Sequence, residues 1–148
     1  MGFIDLHCHW IPGVDDGAPT FDASLAMLRG LGGLGFSLVI ATPHMRPGLF
    51  DNDAAALRAA FDAVEQRLAA LPEVSELPER ALSSEHFFDE QVFRRVSEGR
   101  GLPYPGEDAD FCFFFQHCGL ILGWKSEKRN FEVAPGSLQY LRLFPAPG

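Results

Sequence analysis

Three short strand-like runs alternate along this chain with stretches of helical periodicity, and that order limits the fold more than any other feature. Phe3-Ile4-Asp5-Leu6-His7-Cys8-His9 alternates as a strand does, so His7 and His9 share a face. Ser37-Leu38-Val39-Ile40-Ala41-Thr42 is a short apolar run with β-branched residues, the composition of a buried strand. A weaker strand covers Arg80-Ala81-Leu82-Ser83-Ser84. Between the first two runs Thr20 is the predicted N-cap of a helix. Phe21, Leu25 and Leu28 follow at helical spacing, and Gly30, Gly32, Gly33 and Gly35 are expected to end it. A second helix over 51–71 carries Leu57, Phe61, Val64, Leu68 and Leu71 on one stripe. Asp51 or Asn52 is the expected cap, and Pro72 the stop. Glu90, Val92, Phe93 and Val96 suggest a third, short helix ending near Gly99. A β-α-β-α-β-α order implies parallel strands joined by right-handed crossovers.

Composition narrows the function classes. With 47% hydrophobic and 22% charged residues in 148, the chain is globular and long enough for a real core. The net charge of -8, without a basic stripe, argues against a nucleic-acid partner. Clustered carboxylates suit a cation. No apolar run approaches the ~18 residues of a membrane span, so no membrane insertion is expected. The start, Met1-Gly2-Phe3-Ile4-Asp5, has neither a basic n-region nor an apolar h-region, so no signal peptide is expected. Three cysteines, an odd count at irregular spacing, argue against a disulfide framework. A cytoplasmic protein is the expectation.

The polar residues fall at the strand ends. His7 and His9 close the first strand, His44 follows the second, and Glu85 the third. In a parallel α/β fold these ends lie on one side, where active sites are built. Imidazole nitrogens and carboxylate oxygens are the ligands of zinc, manganese or iron. Asp16, on the loop Pro12-Gly13-Val14-Asp15-Asp16-Gly17, reaches the same mouth. Taken singly, each has a duller reading. A lone histidine is usually a surface or hydrogen-bonded residue, and Asp15 and Asp16 are turn formers. The joint placement raises the set above its members. Cys8 points to the other face of its strand and reads as core.

Ile4-Asp5-Leu6-His7-Cys8-His9, Pro12-Gly13-Val14-Asp15-Asp16-Gly17 and Ile40-Ala41-Thr42-Pro43-His44 together resemble the polymerase and histidinol phosphatase (PHP) superfamily. More narrowly, they resemble the bacterial tyrosine-protein phosphatases of capsular and exopolysaccharide gene clusters. The resemblance covers about residues 3–106. It implies an α/β fold, the N-terminal β-α units of an incomplete PHP-type distorted (β/α)₇ barrel. It also implies a divalent-metal site, most often manganese, with iron, zinc or magnesium as alternatives. Residue by residue, His7, His9, Asp16 and His44 match the family's metal-binding positions, Glu85 matches its glutamate, and Arg46 is a phosphate-contacting candidate. The implied reaction is hydrolysis of phosphotyrosine on a partner protein, a bacterial tyrosine kinase, by a metal-bridging hydroxide. Homo-oligomerisation is left open. A cysteine mechanism needs an arginine six positions after the nucleophile. Here Val14, Cys118 and Trp124 stand six after Cys8, Cys112 and Cys118.

After Gly106 the resemblance ends. The family next has a strand ending in a metal-bridging glutamate, where this chain has Phe113-Phe114-Phe115. The family's later histidine and D-x-H pair have no counterpart. A full barrel takes upwards of ~200 residues. The chain therefore reads as truncated: 1–106 as the N-terminal part of the phosphatase domain, and 107–148 as a divergent tail. Phe111–Phe115 fits one more buried strand. The apolar pieces 119–124 and 138–144 follow, with no predicted helix. Two other readings stand beside the phosphotyrosine phosphatase. One is a PHP phosphoesterase for a small monoester or a nucleic-acid phosphodiester, and the other a non-catalytic fragment.

Overall fold

The computed structural model describes residues 2–87, 90–98, 100 and 102, together with the backbone of 111–115, 120–124 and 131–132. Strand β1 (Phe3–Cys8) is followed by helix α1 (Phe21–Gly33), β2 (Phe36–Ala41) and α2 (Ala54–Ala69). A short 3-10 turn (Val74–Glu76) leads into β3 (Glu79–Leu82), β4 (Glu85–His86) and α3 (Glu90–Ser97). The chain alternates as its periodicity predicts. The first sheet has the order β1-β2-β3, all parallel, with β2 in the centre. The central position explains the unbroken apolar run: Val39, Ile40 and Ala41 are all buried, because a crossover-connected sheet is covered on both faces. Among the described residues β1 is an edge strand of this sheet, and its first residues Phe3 and Ile4 are exposed.

Thr20 caps α1 as expected, its hydroxyl accepting from the Ala23 N–H. The helix passes Gly30 and Gly32 and ends at Gly33, within the glycine cluster expected to stop it, with Leu34 as its C-cap. Gly35, whose φ of 91° lies in the left-handed region, then turns the chain. Each mid-helix glycine costs about 0.5–1 kcal/mol relative to alanine, which packing of the apolar stripe offsets. The cap of α2 is Asp53, not Asp51 or Asn52: its carboxylate accepts from the Ala56 N–H at 2.7 Å. Asn52 is occupied elsewhere, donating to the carbonyls of Val14 and His44. α2 ends at Ala69, before Pro72, as it must.

Leu57, Val64 and Leu68 of α2 are fully buried and Phe61 and Leu71 partly so, confirming the stripe. One core joins Leu25 and Leu28 of α1, Val64 and Leu68 of α2, Cys8, Trp10, Val39 and Ala41. Each large side chain buried there contributes roughly 1.5–3 kcal/mol. A smaller cluster of Met45, Leu57 and Leu102 lies beneath the loop that follows β2. Val92 of α3 is buried, while the side chains of Phe93 and Val96, and Gly99, lie outside the described residues.

The predicted strand Phe111–Phe115 is present as β5, parallel to β4 with Phe114 opposite Glu85. Beyond it the direction changes. β6 (Leu120–Trp124) and β7 (Phe131–Glu132) add antiparallel, giving a second sheet in the order β4-β5-β6-β7. The apolar piece 138–144 lies outside the described residues. No helix among the described residues is long and apolar enough to cross a membrane.

Candidate metal centre

The C-terminal ends of β1, β2 and β3 meet through backbone hydrogen bonds that continue past the strands. Thr42 N–H donates to the Cys8 carbonyl at 2.9 Å, and Ser83 N–H to that of Ala41 at 2.8 Å. Glu85 N–H then donates to Pro43 and Met45 N–H to Glu85, a parallel bridge that sets His44 beside Glu85. The loop after β1 folds back under His9: Ala18 N–H donates to the His9 carbonyl, and Gly13 N–H to Ala18. Gly17 is required there, because a Cβ on it would stand 2.1 Å from the His9 oxygen.

These constraints bring His7, His9, Asp16, His44 and Glu85 together. Glu85, 3% exposed, is the centre of the group. Its Oε2 lies 3.1 Å from His9 Nε2, 3.1 Å from His44 Nδ1 and 3.8 Å from His7 Nε2. The Nε2 atoms of His7 and His9 face each other at 3.3 Å. Asp16, largely exposed, sets Oδ1 3.3 Å from His44 Nε2. The His9 and His44 rings stand 4.7 Å apart, and Phe50 stacks on the outer face of His44 at 5.1 Å.

Two residues not singled out in the sequence hold this group from outside. Asp15, whose side chain is fully buried, accepts from His9 Nδ1 at 2.7 Å and from the His44 N–H at 3.0 Å with one oxygen. Its other oxygen accepts from the Gly17 N–H at 3.0 Å. Thr42 Oγ1 is 3.0 Å from His7 Nδ1. The only signal for Asp15 was its place beside Asp16, and that pattern reads equally as a turn. Thr42 directly follows β2, at the end of the apolar run, and gave no signal.

The electrostatics follow from burial. Burial alone would lower the His9 imidazole, but its hydrogen bonds to Asp15 and Glu85 outweigh it and raise the pKa to about 9. Burial would raise Asp15; the bonds from His9, Gly17 and His44 hold it below the usual carboxylate range. His7 is lowered by burial, with Glu85 opposing. The Cys8 thiol, inside the core, is pushed up to about 12, which makes it a poor nucleophile.

The donor set fits a cation. A carboxylate only accepts, so in the metal-free chain His9 carries hydrogen on Nδ1 toward Asp15 and on Nε2 toward Glu85; displacing the Nε2 hydrogen would free that lone pair for a cation while Nδ1 stays held by Asp15. Two ring nitrogens and a carboxylate oxygen then converge at separations close to the ~3.4 Å expected of ligands bound at ~2.1 Å around one ion. His7, His9 and Glu85 form this better-made group. A second grouping of His9, Asp16 and His44 also has donor atoms within 4.8 Å of one another. It is weaker, because the His9 nitrogen nearest Asp16 is the one Asp15 already holds. Arg46, the phosphate candidate, lies with its guanidinium carbon 4.2 Å from the Phe87 ring centroid, a cation–π contact.

Comparison with known proteins bears on the same residues. The model of the capsular polysaccharide synthesis family CpsB/CapC matches residues 3–108, which include all five candidate donors. The chain belongs to the CpsB/CapC family. Over 65 residues it is 43% identical to the tyrosine-protein phosphatase YwqE of Bacillus subtilis (strain 168), covering 44% of this chain and 26% of that protein. Its fold is similar to the crystal structures of YwqE from Bacillus subtilis and CpsB from Streptococcus pneumoniae, described as metal-dependent tyrosine phosphatases. The TM-score is 0.60 at 31% identity, covering 68% of this chain and 40% of that one. The chain thus spans well under half the length of these CpsB/CapC relatives.

Proposed function

We propose that this chain carries the N-terminal metal-binding part of a metal-dependent protein-tyrosine phosphatase acting in capsule or exopolysaccharide regulation. The observation that carries the reading is the convergence of three imidazoles on the buried Glu85 carboxylate, at the ends of parallel strands, in a chain of the CpsB/CapC family. In this reading residues 1–106 are the opening β-α units of a distorted (β/α)₇ barrel, and 107–148 form a divergent tail. His7, His9, Asp16, His44 and Glu85 hold divalent metal, with manganese the first choice. A phosphotyrosine-bearing protein, a tyrosine kinase in the cytoplasm, is the partner.

Bound divalent metal would supply charge neutralisation for the phosphoryl oxygens and an acidified water as nucleophile. The chain's own residues do the positioning. His7 and His9 present Nε2 because their Nδ1 atoms are engaged by Thr42 and Asp15. Glu85 compensates positive charge at the centre of the group. Phe50, stacked on His44, covers that ring and limits its motion. Arg46 lies two residues past His44 on the Met45–Phe50 loop, where its fixed charge favours an approaching dianion. Cys8 takes no part, being buried in the core.

The test is hydrolysis of a phosphotyrosine peptide by the purified chain loaded with manganese, beside histidinol phosphate and single-stranded DNA. Release of phosphate from the peptide, abolished by chelator and restored by manganese, is the expected result. Activity that persists in excess chelator, or preference for one of the other substrates, would overturn the reading.

A further inference from the structure

The sequence pairs Asp15 with Asp16, and the fold separates them. Asp16 is largely exposed beside His44, whereas the Asp15 side chain has no solvent exposure. A turn-forming aspartate needs one bond, from the N–H two residues on, and Asp15 has it in Gly17. It has two more that a turn does not require. They reach His9 Nδ1 and the His44 backbone N–H, on residues that end different strands.

We propose that Asp15 is the positioning residue of the metal centre, holding the His9 ring with hydrogen on Nδ1 and tying it to His44 so that His9 Nε2 is presented to the cation. The inference rests on the metal-site reading above. Two independent features support it. One is the hydrogen-bond count: the carboxylate accepts three donors, and one oxygen serves both His9 and His44 at 2.7 and 3.0 Å. The other is the loop itself. It is folded so tightly against His9 that a Cβ at Gly17 would meet the His9 carbonyl at 2.1 Å and its Cβ at 2.3 Å. The loop is thus shaped to bring a carboxylate under that ring. A buried anion hydrogen-bonded to the far nitrogen fixes the ring's orientation and tautomer and makes the near nitrogen a better ligand. Thr42 stands in the corresponding place behind His7, with a neutral hydroxyl in place of a charge. His9 is therefore the more strongly donating of the two rings.

The experiment compares the wild-type chain with Asp15→Asn and Asp15→Ala. Asn keeps the volume and one oxygen, but its amide must face either Gly17 N–H or the His9 and His44 donors. Circular dichroism first establishes which variants are folded. Manganese affinity is then measured by calorimetry, and the His9 tautomer by ring ¹⁵N shifts in the metal-free chain at a pH where the ring is neutral. The expected result is a loss of about 10–100-fold in affinity, with His9 leaving the Nδ1–H tautomer in the folded variants. A merely structural Asp15 would lower the melting temperature and leave both readouts unchanged. A folded Asp15→Asn chain with wild-type affinity and the Nδ1–H tautomer overturns the proposal. Should the wild-type chain itself take up no manganese, the metal-site reading falls, and the tautomer comparison decides for or against the hold of Asp15 on His9.

Discussion

Replacing Glu85 by glutamine probes the centre of the site with least disturbance elsewhere. The side chain is 3% exposed, the substitution is isosteric, and no cavity is opened. What disappears is a negative charge within 3.1 Å of two imidazole nitrogens and 3.8 Å of a third. Removing one partner from a buried charged group costs about 3–5 kcal/mol. At ~1.4 kcal/mol per tenfold this weakens manganese binding by at least roughly a hundredfold. Thermal unfolding reads the difference. Manganese at a hundred times the wild-type Kd stabilises the wild-type chain by about 2.7 kcal/mol. At ~2–4 °C per kcal/mol the melting temperature rises by roughly 5–10 °C. At the same concentration Glu85→Gln would have its site about half filled, worth roughly 0.4 kcal/mol and a rise of about 1–2 °C. Equal manganese-induced rises in the two proteins would refute the placement of Glu85 at the centre of the site. So would unchanged calorimetric affinity.

The metal-free chain has a pH dependence of its own. His9 is raised to about 9 when folded, so its contribution to stability is complete below its unfolded value near 6.5 and is lost as pH climbs through 9. Metal must displace that proton, so manganese affinity measured by titration rises over the same window; affinity independent of pH between 6.5 and 9 would contradict this. Leu68→Ala, at a fully buried position of α2, is expected to cost about 2–5 kcal/mol in denaturant unfolding, whereas Leu49→Ala on the exposed loop should change little. Gly17→Ala forces the 13–18 loop away from His9 and is expected to weaken manganese binding more than it lowers stability; wild-type calorimetry would count against the loop geometry. Cys8→Ser should leave metal binding and any phosphatase activity intact. Its thiol, raised to about 12 and packed in the core, is no nucleophile, and a variant that stays folded but loses activity would reinstate cysteine chemistry.

The sequence by itself determined the alternation of strands and helices, the apolar stripe of α2, the Thr20 cap and the strand-end placement of five candidate donors. These are local properties. Periodicity, capping chemistry and the direction of side chains along a strand act over a few residues and are written in the order of the chain. The helix boundaries were less legible. The glycine cluster marks where α1 ends but not at which glycine: the helix passes Gly30 and Gly32 and stops at Gly33, and Gly35 turns the chain. Asn52 looks like a cap until its amide is claimed by the carbonyls of Val14 and His44. Only the tertiary structure separated Asp15 from Asp16. The two are neighbours with the same chemistry, and nothing local says which turns inward. The decision comes from the Ala18-to-His9 hydrogen bond and the close approach of Gly17, which fold the loop beneath His9, and from β2, which brings the His44 N–H within reach. The same holds for Thr42 behind His7. A residue that acts on another by holding it in place is recognisable only when both are located, because its partner is chosen by contact in space and not by distance along the chain.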